Sequence, residues 1–164
     1  MVKKELYTLK GYHREDFNIT GYSFGSGEKA ACIVGAIRGN EYQQMYICSQ
    51  LVKTLRELEN NGCISAGKQI LVIPTINAYS VNISRRFFGV KEADINRSFP
   101  GNDYGEPADR LTNALLTEIK DYVYGIQFTS SQAFIASSLN ASTEQNHCGV
   151  ARKIIGCLQR QQCG

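Results

Sequence analysis

The chain has 164 residues, of which 43% are hydrophobic and 20% are charged, as in an ordinary soluble globular protein. This length accommodates one domain with a substantial core and is short for two. The formal charge of +3 is spread along the chain and does not favour nucleic-acid binding. No apolar run reaches the roughly eighteen residues that cross a bilayer, and the first residues lack the apolar segment of a signal peptide. We therefore expect a cytoplasmic protein with no nucleic-acid or membrane partner.

The first half of the chain predicts two strands followed by a strand–helix–strand unit. Residues 5–9 and 18–24 are rich in β-forming side chains, and the apolar run of residues 30–37 is typical of a strand buried on both faces. Apolar residues recur at spacings of three and four over residues 41–60, which predicts an amphipathic helix. A second apolar run, residues 69–74, predicts a strand that pairs in parallel with residues 30–37.

The second half predicts a long connection, a second helix, a short strand and a tail. Residues 77–106 are rich in Asn, Arg and Gly, and loops of this length are usually functional or disordered. Pro107 suits the first turn of a helix predicted to run to about Tyr124, with a strand at residues 124–128. Residues 131–164 hold three of the six cysteines and show no strand–helix rhythm. We expect residues 1–130 to form the α/β domain and residues 131–164 to be an atypical tail, frameshifted or poorly ordered.

Charged and amide side chains follow the two central strands of this prediction. Open α/β sheets bind ligands at the carboxyl ends of their strands, and residues 38–41 and the connection lie there. Glu41 begins the first helix, where the helix dipole favours a carboxylate, so an ordinary helix-start charge remains an alternative to a site residue. Arg86, Asn96 and Arg97 lie in the connection, and arginine offers a planar pair of donors that matches a carboxylate. A solvated basic loop is the alternative interpretation.

Two segments resemble signatures of the succinylglutamate desuccinylase/aspartoacylase family of zinc amidohydrolases. Residues 35–41, Gly-Ala-Ile-Arg-Gly-Asn-Glu, are similar to its His-Gly-x-Glu segment, and residues 94–101, Asp-Ile-Asn-Arg-Ser-Phe-Pro-Gly, to its Asp-Leu-Asn-Arg segment. The similarity extends over about residues 25–130 and includes Asn77 with Arg86 nine residues later. The resemblance implies an α/β fold with three αβα layers and a mainly parallel mixed sheet, zinc-carboxypeptidase-like, of which this chain holds the N-terminal portion.

The resemblance also implies roles for individual residues. The substrate carboxylate would be bound by three residues of the connection, Arg86, Asn96 and Arg97. Glu41 stands at the position of a zinc ligand, whereas Arg38 and Thr129 stand where the family has its two histidine ligands. Arg38 carries a permanent positive charge and cannot ligate a metal. Glu41 is then the single surviving ligand position, and one carboxylate does not hold zinc tightly.

Three functions stay open on this sequence. The first is a zinc amidohydrolase that deacylates N-acyl amino acids. The second is an inactive pseudoenzyme or carboxylate-binding module, in which Arg38 supplies the positive charge of the metal and helps to hold a small anionic molecule. The third is an incomplete chain without a finished site. An unfinished sheet exposes an edge and apolar surface, so we also expect self-association.

Overall fold

The computed structural model describes residues 1–11 and 16–129, and the tail predicted at residues 131–164 lies outside them. Five strands form one sheet in the order β1–β2–β4–β3–β5. The strands are β1 (Val2–Leu9), β2 (Phe17–Gly25), β3 (Glu28–Ala36), β4 (Lys68–Thr75) and β5 (Tyr124–Gln127). The helices are α1 (Tyr42–Asn60), α2 (Ala78–Asn82) and α3 (Pro107–Ile119). No helix in this part of the chain combines the length and the apolar character that a membrane span needs.

The sheet is mixed, with its parallel strands side by side. Strand β3 pairs in parallel with both β4 and β5, whereas β2 pairs antiparallel with β1 and β4. The predicted strand–helix–strand unit is therefore present as β3–α1–β4, and the strand predicted at residues 124–128 is present as β5. The α/β fold predicted from the sequence is confirmed.

Different helices cover the two faces of the sheet. Along β3, Cys32 and Val34 pack in the cluster that contains the apolar side of α3, while Ile33 packs on the opposite face with Cys48 and Leu55 of α1. This alternation follows from the two-residue period of a strand, which sends successive side chains to opposite faces. The result is three layers, with α1 on one face of the sheet and α3 on the other.

Helix α3 ends earlier than the sequence predicts. The first three members of its apolar series are buried, namely Leu111, Leu115 and Ile119. The helix nevertheless ends at Ile119 instead of near Tyr124, and Val123, the next member of the series, is exposed. The backbone leaves the helix because the Val123 N–H donates to the Lys29 carbonyl at 3.0 Å, which aligns the chain with β3.

The long connection contains short elements that its sequence pattern does not reveal. Besides α2 it holds one turn of 3-10 helix at Ile95–Arg97 and an antiparallel bridge between Phe88 and Ala93. The Asn77 side chain accepts a hydrogen bond from the Ser80 N–H at 3.2 Å and so caps α2. Elements of one turn are too short to produce a detectable apolar period, which is why the connection reads as irregular.

Candidate functional site

The carboxyl ends of the three parallel strands bring the predicted site segments to one edge of the sheet. The turn at residues 37–41 follows β3, Asn77 follows β4, and Thr129 follows β5. Parallel strands end at the same edge, where open α/β sheets bind their ligands. The sequence predicted this location, and contacts between the segments show that they meet there.

Glu41 lies at the centre of these contacts. It precedes the first residue of α1 and is only 1% exposed. Its Oε2 accepts hydrogen bonds from the backbone N–H groups of Ile37 and Arg38, both at 3.0 Å. Its Oε1 accepts one from the Thr129 hydroxyl at 3.2 Å. The carboxylate therefore fastens the turn between β3 and α1 to the end of β5, a more specific arrangement than a solvated charge at a helix start.

The guanidinium of Arg38 is shared between two carboxylates. Its Nε donates to Oδ1 of Asp94 at 3.1 Å and its Nη2 to Oδ2 at 3.0 Å. Its Nη1 lies 3.7 Å from Oε1 of Glu41. The two hydrogen bonds to Asp94 form the planar paired geometry in which arginine binds carboxylates most strongly. Arg38 was predicted to bind substrate, which stays a prediction, and in the structure its guanidinium contacts these two protein carboxylates.

Asp94 organises the turn that follows it, a role that was not predicted from the sequence. Its Oδ1 accepts a hydrogen bond from the backbone N–H of Asn96 at 3.1 Å and caps the 3-10 turn. Its backbone carbonyl accepts one from the N–H of Arg97 at 2.8 Å. The signal that could have shown this role is local, because an aspartate two residues before the N–H that it binds is typical of an Asx turn.

The remaining predicted residues lie around this turn. Arg97 has an 86% exposed side chain whose Nε is 3.6 Å from Oδ2 of Asp94. Asn96 is half-buried, and its Oδ1 has no hydrogen-bond partner among the described residues. The Arg86 carbonyl accepts a hydrogen bond from the Gly39 N–H at 3.2 Å, and its guanidinium lies 5.6 Å from the ring of Phe87. Arg86 thus reaches the turn after β3 through its backbone.

Gly39 allows the turn after β3 to approach the connection closely. A Cβ at this position would lie 2.1 Å from the Arg85 carbonyl oxygen and 2.4 Å from Cβ of Ser80. No other residue has the space for such an approach without moving the backbone. Gly39 therefore permits the contact that holds residues 38–41 against residues 80–86.

Several buried amide atoms near this edge lack a hydrogen-bond partner within the described residues. Each lies at a strand end or in the capped turn, and they are Asn40 Oδ1, Asn77 Nδ2, Asn96 Oδ1 and Gln127 Oε1. Buried polar atoms are normally hydrogen-bonded, and exceptions often mark functional positions. A polar ligand is one kind of partner that such atoms accept.

The same residues do not fit a zinc ion. A zinc site needs three or four His, Cys, Asp or Glu ligands, and residues 1–11 and 16–129 contain no group of three that could hold a metal. At the position where the resemblance expects a histidine, Arg38 brings a cation to within 3.7 Å of Glu41. The other oxygen of Glu41 already accepts two backbone hydrogen bonds.

An apolar cavity of about 280 Å³ lies between the Phe88–Ala93 bridge and the start of α3. Its lining includes Val90, Pro107 and Ala108, with Lys91 and Glu106 paired at 2.9 Å. The lining is almost wholly apolar and the two charges neutralise each other. The cavity is therefore poorly suited to a carboxylate, in contrast to the strand-end residues.

The architecture defines an α/β protein with a carboxypeptidase-like fold. A metallo-carboxypeptidase from Pseudomonas aeruginosa superposes with a TM-score of 0.57 over 79% of this chain and 35% of that chain. The sequences are only 10% identical, so this likeness concerns the fold alone.

The particular family follows from the sequence. A model of the succinylglutamate desuccinylase/aspartoacylase catalytic domain matches residues 28–135, and the chain belongs to this family. An aspartoacylase family protein from Mesorhizobium loti is 26% identical, with a TM-score of 0.60 over 73% of this chain and 37% of that one. Succinylglutamate desuccinylase/aspartoacylase from Rhodobacter sphaeroides is 21% identical, with a TM-score of 0.59 over 71% of this chain and 34% of that one. No curated protein sequence gives a significant match. The chain thus spans little more than a third of these structures.

Proposed function

We propose that the strand-end site binds a small carboxylate-bearing molecule of the N-acyl amino acid class, and that it does so without zinc-dependent hydrolysis. Family membership supports the ligand class, because the family is named after succinylglutamate desuccinylase and aspartoacylase. The chemistry of Arg38, Glu41 and Thr129 supports binding over turnover, because these side chains do not form a zinc-ligand set.

The observation that carries the proposal is the capped turn at Asp94. Asp94 fixes the backbone of Asn96 and Arg97 through two hydrogen bonds, so the turn is held in place before any ligand arrives. The Arg97 side chain is nevertheless 86% exposed. An arginine that is anchored at its backbone and open at its guanidinium is suited to a bidentate bond with a ligand carboxylate.

The test is a binding measurement with and without Arg97. Isothermal titration and thermal shift with N-succinylglutamate and N-acetylaspartate should show binding and a rise in melting temperature, because a ligand that binds only the folded state stabilises it. Arg97→Ala removes a charge-assisted hydrogen bond and should weaken the affinity by about tenfold or more. Arg56→Ala, an exposed arginine on α1, is the matched control and should leave the affinity unchanged. Equal affinities in the two variants would contradict the role of Arg97.

A second candidate function is hydrolysis of the same ligands, and family membership favours it. It requires bound zinc and release of the free amino acid by the purified chain. About one zinc per chain, together with turnover of N-succinylglutamate, would replace the binding proposal. Substoichiometric zinc and binding of these ligands without turnover would support the binding proposal.

A further inference from the structure

The strand-end site holds two carboxylates that have little contact with water. Glu41 is 1% exposed and the side chain of Asp94 is 12% exposed. Burying a carboxylate is strongly unfavourable unless a positive charge and hydrogen bonds compensate it. Within the described residues, the cation with a nitrogen within 4 Å of both carboxylates is Arg38, which is itself 12% exposed.

We infer that Arg38 is an internal substitute for the metal ion, which balances the charge of Glu41 and Asp94 and braces the strand-end segments without binding ligand itself. Through Asp94 it reaches the connection, and Glu41 in turn reaches the end of β5 through Thr129. The guanidinium of Arg38 and the carboxylate of Glu41 together link three segments: the turn after β3, the connection and the end of β5. The inference concerns the site of the proposed function, but its test measures folding in the absence of any ligand.

The positions of the guanidinium nitrogens explain why Arg38 acts as a brace. Nε and Nη2 are bound to Asp94, and Nη1 faces Glu41, so each nitrogen is directed at a protein carboxylate. Oδ1 of Asp94 accepts from both Nε of Arg38 and the N–H of Asn96. Arg38 is therefore coupled to the turn that carries Arg97, and we assign it as a positioning residue.

The decisive experiment is a double-mutant cycle on the unfolding equilibrium. Arg38→Met removes the cation that bridges Glu41 and Asp94, and Asp94→Asn leaves the guanidinium without its main partner. Each change should raise the unfolding constant on the order of 100-fold, since breaking a buried pair leaves an uncompensated charge. The loss in the free energy of unfolding of the double variant should be much smaller than the sum of the losses of the two single variants, because the interaction is lost only once.

The exposed pair of Arg85 and Glu92 provides a matched control in the same connection. Their side chains are 66% and 60% exposed, and Nη1 of Arg85 lies 3.2 Å from Oε1 of Glu92. In the same cycle, the effects of Arg85→Met and Glu92→Gln on the unfolding constant should therefore be small and additive. If the Arg38–Asp94 cycle is as additive as this control, the inference is overturned. Arg38→Lys keeps the charge but loses the planar fork, so its unfolding constant should lie between those of wild type and Arg38→Met. If Arg38→Met does not fold, Arg38→Lys replaces it in the cycle.

A metal titration of the wild-type chain gives an independent test. Addition of zinc sulfate or of EDTA should leave the melting temperature unchanged within about 1 °C, since a species that binds neither state does not shift the equilibrium. A zinc-dependent rise that disappears in Glu41→Gln would show that a metal holds the site and would overturn the inference. Failure of N-acyl amino acids to bind would contradict the proposed function but would not change the result of the double-mutant cycle, which is measured without ligand.

Discussion

The hydroxyl of Thr129 donates a hydrogen bond to Oε1 of Glu41 at 3.2 Å, although 88 residues separate the two in the chain. By the family resemblance, these are the positions of the second histidine ligand and the glutamate ligand of a zinc site. The side chains thus meet as metal ligands would, while one of them has the wrong chemistry for zinc. Arg38, at the first histidine position, lies 3.7 Å from the same glutamate.

Restoring the histidines should restore metal binding. In the double variant Arg38→His, Thr129→His, two imidazoles join the carboxylate of Glu41, which completes the three-ligand set of a catalytic zinc site. We expect about one zinc per chain after dialysis, measured by metal analysis, and a zinc-dependent rise in melting temperature. Adding Glu41→Gln should abolish both effects. No zinc uptake above the wild-type level would show that these positions are not arranged as a ligand set.

Gly39→Ala should destabilise the chain strongly. The added Cβ would lie 2.1 Å from the Arg85 carbonyl oxygen, so the backbone must move, at a cost of about 3 kcal/mol. Gly67→Ala is the control, since its Cβ meets nothing within 4 Å and its φ of +73° alone costs about 1–2 kcal/mol. Urea unfolding measures both free energies. Equal losses would show that the turn after β3 does not press against the connection.

The layer formed by α3 should contribute more to stability than exposed apolar residues do. Leu115 is 1% exposed in the cluster under α3, and Leu115→Ala should lower the free energy of unfolding by about 2–5 kcal/mol. Leu58, on α1, is 39% exposed, and Leu58→Ala should cost less than about 1 kcal/mol. Chemical denaturation distinguishes the two. A small loss for Leu115→Ala would indicate that α3 does not pack as described.

Alkaline pH should weaken the fold through the thiol of Cys32. Burial raises the pKa of this thiol from 9.0 to about 12. The protonated thiol contributes its full stability below pH 9, the value in the unfolded chain, and this contribution is lost as the pH rises from 9 to 12. Between pH 8 and 10.5 the loss is about 2 kcal/mol. Urea midpoints at the two pH values should fall less in Cys32→Ala than in wild type, whereas Cys63→Ala, at an exposed site, should behave like wild type.

The central part of the fold could be predicted because its patterns are local. The apolar runs of β3 and β4 and the helical spacing of α1 each lie within one segment, and a strand–helix–strand unit leaves a parallel pairing as the natural arrangement. The antiparallel pairing of β2 with β4 joins Phe24 to Ile70. Nothing within either strand specifies so distant a partner, so the order of the sheet could not be predicted.

The positions of the candidate site residues in the fold could be predicted better than their interactions. The predicted strands placed Arg38, Glu41 and the connection that carries Asp94 after strand ends, and the structure has them there. They could not show whether the guanidinium of Arg38 faces solvent or pairs with Asp94, which lies 56 residues away in the chain. The destination of a long charged side chain depends on which carboxylates the fold brings close, and that is not visible in a sequence.

The distance along the chain between Thr129 and Glu41 also bears on the order of folding. Strands β3 and β4 are joined by one helix, so they close a short loop, whereas β5 must return across 88 residues to bring Thr129 to Glu41. Loop closure over a longer segment costs more entropy and is repaid only when the distant contact forms. We therefore expect the last strand to complete the site late, after the β3–α1–β4 unit has assembled. Changes at Thr129 should accordingly speed unfolding more than they slow folding.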